Sequence, residues 1–134
     1  MKNKYLILIA VGIVVILGAL YLVNNNNDIV NLVNVDEFEN LIGNEEVFVI
    51  NAHIPYAGEI QGTDLIAEDW ENMASYSDKL PQDKNAPIAV YCRSGRMSAI
   101  SSQQLVELGY KNVYDLDGGM KAWESSGREL LFKE

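Results

Sequence analysis

Tyr5 to Val23 is a run of 19 residues, YLILIAVGIVVILGALYLV, with no charge, amide or proline. As a helix it extends roughly 28 Å, close to the hydrocarbon thickness of a bilayer. A buried core helix of a small domain carries a polar stripe, and this run has none at any helical period. A cleaved signal segment has a shorter apolar core ending in small residues, whereas Leu20, Tyr21, Leu22 and Val23 close this one. The sequence therefore predicts an uncleaved membrane anchor, with a cleaved signal segment as the alternative. Lys2 and Lys4 precede the run, so the positive-inside rule places the amino terminus in the cytoplasm. The expected localisation is a single-pass cell-membrane protein whose remaining chain lies on the extracytoplasmic side.

Residues 1–27 form this anchor and an Asn-rich tether, Asn24 to Asn27, and residues 28–134 form one domain. Those 107 residues carry 8 basic and 19 acidic side chains, a net charge of −11 against −9 for the whole chain. With 49% hydrophobic residues overall, the composition fits a globular domain rather than disorder. Such an acid excess lacks the clustered Lys and Arg that grip phosphates, so no nucleic-acid partner is expected. One Cys and one His leave no internal disulfide and too few nitrogen and sulfur ligands for a metal cage. No metal or cofactor is expected.

Within the domain, short apolar runs alternate with amphipathic segments, the pattern of a parallel sheet covered by helices. Strands are predicted at Ile29 to Val33, Val47 to Ile50, near Leu65 and Ile66, at Ile88 to Tyr91, and at Val113 to Leu116. Helices are predicted with Val35, Phe38, Leu41 and Ile42 on one face, stopping at Gly43; within Glu68 to Ser77; from about Met97 to Leu108 with Ile100, Leu105 and Leu108 facing the core; and over Met120 to Ser126. The fold class is α/β, and Trp70 and Trp123 read as packing groups.

Cys92 follows the IAVY strand and opens the loop Cys92-Arg93-Ser94-Gly95-Arg96, which feeds a helix. Loop amides and the positive end of that helix converge there, a site suited to an anion and to a thiolate. Arg93 and Arg96 add positive charge, Ser94 a hydroxyl donor, and Gly95 a free backbone. A thiol in that setting is a nucleophile on, or a carrier within, an anionic group. A buried core cysteine, the bland alternative, has no need of two Arg, a Ser and a Gly in the next four positions.

The stretch Ile88-Ala-Val-Tyr-Cys92-Arg-Ser-Gly-Arg96-Met-Ser98, followed by Gly109-Tyr110, Asn112-Val113, Leu116, Gly118-Gly119-Met120, Ala122-Trp123 and Gly127, resembles the rhodanese homology domain. The likeness is strong from Pro87 to Leu130 and weaker from Asn34 to Gly62. It implies a three-layer sulfurtransferase fold with about five parallel strands. It also implies that Cys92 holds a persulfide and that Arg93, Ser94, Gly95, Arg96 and Met97 cradle the substrate anion. Two departures stand out: Asn51-Ala52-His53 replaces the usual Asp-x-Arg, and Gly58-Glu59-Ile60-Gln61-Gly62-Thr63 replaces Gly-His-Ile-Pro-Gly-Ala. His53 reads as a structural histidine, and Asp115 and Asp117 as residues flanking a turn with no catalytic role.

The expected function is transfer of a sulfane sulfur from a small anionic donor, thiosulfate or a persulfide, to a thiol, a protein Cys or cyanide. The alternative is a membrane-tethered, non-catalytic module for binding or sulfur relay. Phosphatase chemistry needs a longer C-x5-R loop, and the sixth residue after Cys92 is Ser98.

Overall fold

A computed structural model describes residues 2–24 and 29–133. The elements are α1 (Lys2–Asn24), β1 (Asn31–Val33), α2 (Val35–Ile42), β2 (Phe48–Asn51), β3 (Leu65–Ile66), a 3₁₀ turn (Met73–Tyr76), β4 (Ile88–Tyr91), α3 (Arg96–Glu107), β5 (Val113–Leu116) and α4 (Gly119–Ser125). The expected tether at Asn25 to Asn27 lies outside the described residues.

Helix α1 forms over the apolar run, and its described apolar side chains from Ile7 to Leu17 are 52% to 69% exposed. Among the described residues no helix is long and apolar enough to cross a membrane. The expected transmembrane segment is therefore not borne out by the structure and stands on the sequence pattern alone.

Beyond α1, five parallel strands lie in the order β1-β5-β4-β2-β3. Side-chain alternation along each strand sorts the core into two layers. Ile50, Ile88, Val90, Cys92 and Val113 face Leu105 and Val106 of α3. Val49, Ala89, Tyr91 and Leu116 face Phe38 of α2 with Met120 and Trp123 of α4. On that second face the rings of Tyr91 and Trp123 both meet Phe38 edge-on, with centroids 6.1 and 6.4 Å away. An Asn34 and Glu37 capping box starts α2, each side chain accepting from the other's backbone N–H.

Three expectations need correction. The segment Glu68 to Ser77 is not a helix; turns lead into a single 3₁₀ turn at Met73–Tyr76. Beside its own turn bonds, such as Asn72 N–H to Asp69 O (3.0 Å), its backbone is held by α3: Met73 N–H donates to Gln104 Oε1 (2.8 Å), Gln104 Nε2 to Glu71 O (2.7 Å), and Ser101 Oγ to Trp70 O (2.8 Å). Helix α3 meets the core through Leu105, as expected, but the other two residues named do not join it. Ile100 and Leu108 are 39% and 36% exposed, while Ser98, Ser101 and Ser102 are buried. Small hydroxyl side chains there let the helix lie close on β4, β5 and the 68–73 loop. The first strand, lastly, is shorter than predicted and starts at Asn31.

Candidate active site

Strand β4 ends at Tyr91, so Cys92 is delivered at the carboxyl edge of the sheet, where ligands of parallel sheets bind. Its side chain continues the face of Ile88 and Val90, and the residue is only 1% exposed. The chain then turns sharply. Gly95 takes φ +105°, a left-handed conformation that strains any residue with a Cβ, and α3 starts at Arg96. This turn brings the Gly95 N–H back onto Cys92 Sγ at 3.0 Å. A backbone donor at the helix entrance is thus aimed at the sulfur.

The loop is clamped from outside by α4. Met120 N–H donates to Cys92 O (2.8 Å) and Lys121 N–H to Arg93 O (3.0 Å). Two loop carbonyls are thus turned away from the sulfur and satisfied by the first turn of α4. The approach requires Gly118 and Gly119, at φ +75° and +58°. This contact explains why a glycine pair and the cysteine loop occur together in one sequence.

The other predicted residues fall around the same loop. Arg93 and Ser94 are exposed at its tip. Arg96 leans out of α3 with its guanidinium carbon 5.7 Å from the centre of the Trp70 ring, so the pair forms a rim at the start of α3. Met97 is half-buried against the α3 layer of the core.

Two groups beyond the loop tip were not read as site residues. Trp70, expected as a packing group, belongs partly to the core and partly to the rim through Arg96. His53 lies close enough to Arg93 to feel its charge; burial first, and the guanidinium second, hold the imidazole below its usual range. Asn51, where the family has an acid, is fully buried and bridges backbone: Oδ1 accepts from His53 N–H (2.9 Å) and Nδ2 donates to Gly58 O (3.1 Å). Two neutral hydrogen bonds thus brace the loop after β2. The polar pattern around position 53 hinted at this, whereas nothing local tied Trp70 to Arg96, because the pairing depends on the crossing of two distant loops.

Fold, loop and clamp together define a parallel-sheet domain that seats its one thiol at a strand-to-helix turn. The sequence profile of the rhodanese-like domain matches residues 19–126, and the chain belongs to that family of sulfurtransferases. It is 30% identical over 94 residues to the thiosulfate sulfurtransferase GlpE of Pseudoalteromonas translucida (strain TAC 125), covering 68% of this chain and 86% of that one. Against the thiosulfate sulfurtransferase GlpE of Coxiella burnetii (strain RSA 331 / Henzerling II) it is 43% identical over 53 residues, 40% of this chain and 48% of that one. Among solved structures, a rhodanese-related protein from Thermoplasma volcanium superposes with a TM-score of 0.63 at 23% identity, covering 77% of this chain and 99% of that one. A rhodanese-like domain protein from Staphylococcus aureus gives 0.62 at 24% identity, with 78% and 99% covered. At these identities the structural likeness speaks to the fold.

Proposed function

We propose that the domain moves a sulfane sulfur through a Cys92 persulfide. The observation that carries this reading is the Gly95 N–H on Cys92 Sγ at 3.0 Å, at the strand-to-helix turn. In the first half-reaction the Cys92 thiolate attacks the outer sulfur of thiosulfate. The new S–S bond forms as the old one breaks, and sulfite leaves with the electron pair. Arg93, Ser94 and the loop amides, with Arg96 at the rim, stabilise the anion on entry and departure. In the second half-reaction an acceptor thiolate attacks the outer persulfide sulfur, takes it, and returns Cys92 as thiolate; cyanide leaves as thiocyanate. The chain has no second Cys, so the persulfide is released to another molecule and not to an internal disulfide.

The same reading places the domain on the extracytoplasmic face of a membrane, held by residues 5–23. Its support is the unbroken apolar run behind Lys2 and Lys4.

Mass spectrometry of the Cys92 peptide after thiosulfate treatment tests the chemistry. The expected result is a gain of one sulfur mass, removed by cyanide, and no gain in Cys92→Ser. No gain from thiosulfate or from any small persulfide would replace the enzyme reading with the binding or relay module.

A further inference from the structure

We propose that Trp70 is a positioning residue for the sulfur donor: its ring holds the Arg96 guanidinium where the Cys92 loop meets α3, with the charge and the N–H donors of that guanidinium left open for an incoming anion. This rests on the proposed role of Cys92 as sulfur carrier and adds a residue that acts on donor entry alone.

The guanidinium carbon of Arg96 lies 5.7 Å from the centre of the Trp70 ring. A ring face attracts a cation without consuming its hydrogen-bond donors. Among the described residues Arg96 forms no ion pair, although Glu68, Asp69 and Glu71 flank Trp70 in sequence. Arg128 gives the contrast. Its guanidinium also lies over a tryptophan, 5.4 Å from the centre of the Trp123 ring, but Asp36 and Glu39 take its donors and balance its charge. One arginine is thus tied into the surface, and the other is held by a ring and left open.

Trp70 itself is fixed. Its ring packs half-buried on the core layer that contains Cys92 and Leu105, and its carbonyl accepts from Ser101 Oγ at 2.8 Å. The next carbonyl, that of Glu71, accepts from Gln104 Nε2 at 2.7 Å. Both donors belong to α3, the helix that Arg96 opens, so ring and guanidinium are carried by one unit. A long side chain gives up rotamer freedom when it grips a ligand, and resting on a fixed ring removes part of that freedom before the anion arrives. Arg96 directly follows Gly95, whose N–H lies 3.0 Å from Cys92 Sγ. The held charge therefore stands one residue from the donor that faces the sulfur.

The consequence falls on one half of the reaction. Thiosulfate enters as a dianion, whereas cyanide, taking the sulfur away, brings far less negative charge to the loop. Losing the ring weakens the donor step and spares the acceptor step. A general loosening of the domain would slow both.

Steady-state kinetics and indole NMR on the full-length protein in detergent micelles test the pair. In Trp70→Leu, kcat/KM for thiosulfate is expected to fall about three-fold, as for a cation resting on an exposed ring, with kcat/KM for cyanide unchanged. Trp70→Phe, which keeps a ring face, restores most of the loss, and Trp70→Leu adds no further loss to Arg96→Ala. In Cys92→Ser, which has no sulfur carrier, thiosulfate added at constant ionic strength shifts the Trp70 indole N–H resonance and leaves that of Trp123 in place. With Arg96→Ala added, neither moves. Equal falls in both specificity constants, additive losses in the double variant, or a Trp70 resonance blind to thiosulfate overturns the proposal. A protein that takes up no sulfur yet shows the Arg96-dependent shift sinks the proposed function alone, and one that loads sulfur with a silent Trp70 sinks this inference alone.

Discussion

Gly119 packs directly on Cys92: a Cβ built at 119 would stand 2.4 Å from the Cys92 carbonyl oxygen and 2.8 Å from that of Arg93. No side chain fits there without moving the active loop, and φ +58° adds backbone strain to any replacement. Gly119→Ala is therefore expected to cost on the order of 2 kcal/mol or more, read by urea unfolding. Sulfur loading should fall further than stability does, since the atom displaced belongs to Cys92 itself.

Asp115 makes a separate thermodynamic prediction. Its carboxyl is raised from 3.8 to about 6 in the folded protein, so the native state binds this proton more tightly than the unfolded chain does. The stabilisation is complete below about pH 4 and is lost as pH rises through about 6. Two units correspond to about 3 kcal/mol. Asp115→Asn should therefore gain stability relative to wild type on going from pH 4 to pH 7.5, by up to about 3 kcal/mol. Equal stability differences at both pH values would show that the carboxyl is not raised.

Gln104 holds the 68–73 loop with both ends of its amide. Gln104→Ala leaves the Met73 N–H without its acceptor beside a buried side chain, at a cost of roughly 1–3 kcal/mol. Faster hydrogen exchange at the Met73 amide is the local signature, and unchanged exchange would show that the loop is held by other contacts.

Deleting residues 1–28 should leave the domain folded, because the described apolar side chains of α1 stand exposed and not buried in the core. The amide spectrum of the fragment is expected to overlay that of the full chain beyond the first strand. On phase separation with a mild detergent, the full chain should follow the detergent and the fragment the water. A full chain that stays in the aqueous phase would remove the case for an anchor.

The sheet was legible because its strands are continuous apolar runs bounded by turn residues, and Ile88 to Tyr91 matches the observed β4 residue for residue. The strand-loop-helix setting of Cys92 was legible for the same reason. What escaped was set by long-range contact. Glu68 to Ser77 carries helical periodicity, but the carbonyls of Trp70 and Glu71 and the amide of Met73 are taken by Ser101 and Gln104 some thirty residues later. Helix α3 buries Ser101 because its hydroxyl serves Trp70 O in the 68–73 loop, and apolar counting gives such a residue no weight. Asp115 looked like part of a turn because its burial arises from α3 lying over β5, which no local pattern announces.

All five strands run the same way, which gives the domain a polarity. The chain from α1 enters at the amino end of β1, while Cys92 lies past the carboxyl end of β4. A four-residue strand puts roughly 13 Å of sheet between those two rims. In a chain held at its amino terminus by a bilayer, the reactive sulfur would thus be carried on the outward rim. It would open toward molecules arriving from solution, with the lipid surface at its back.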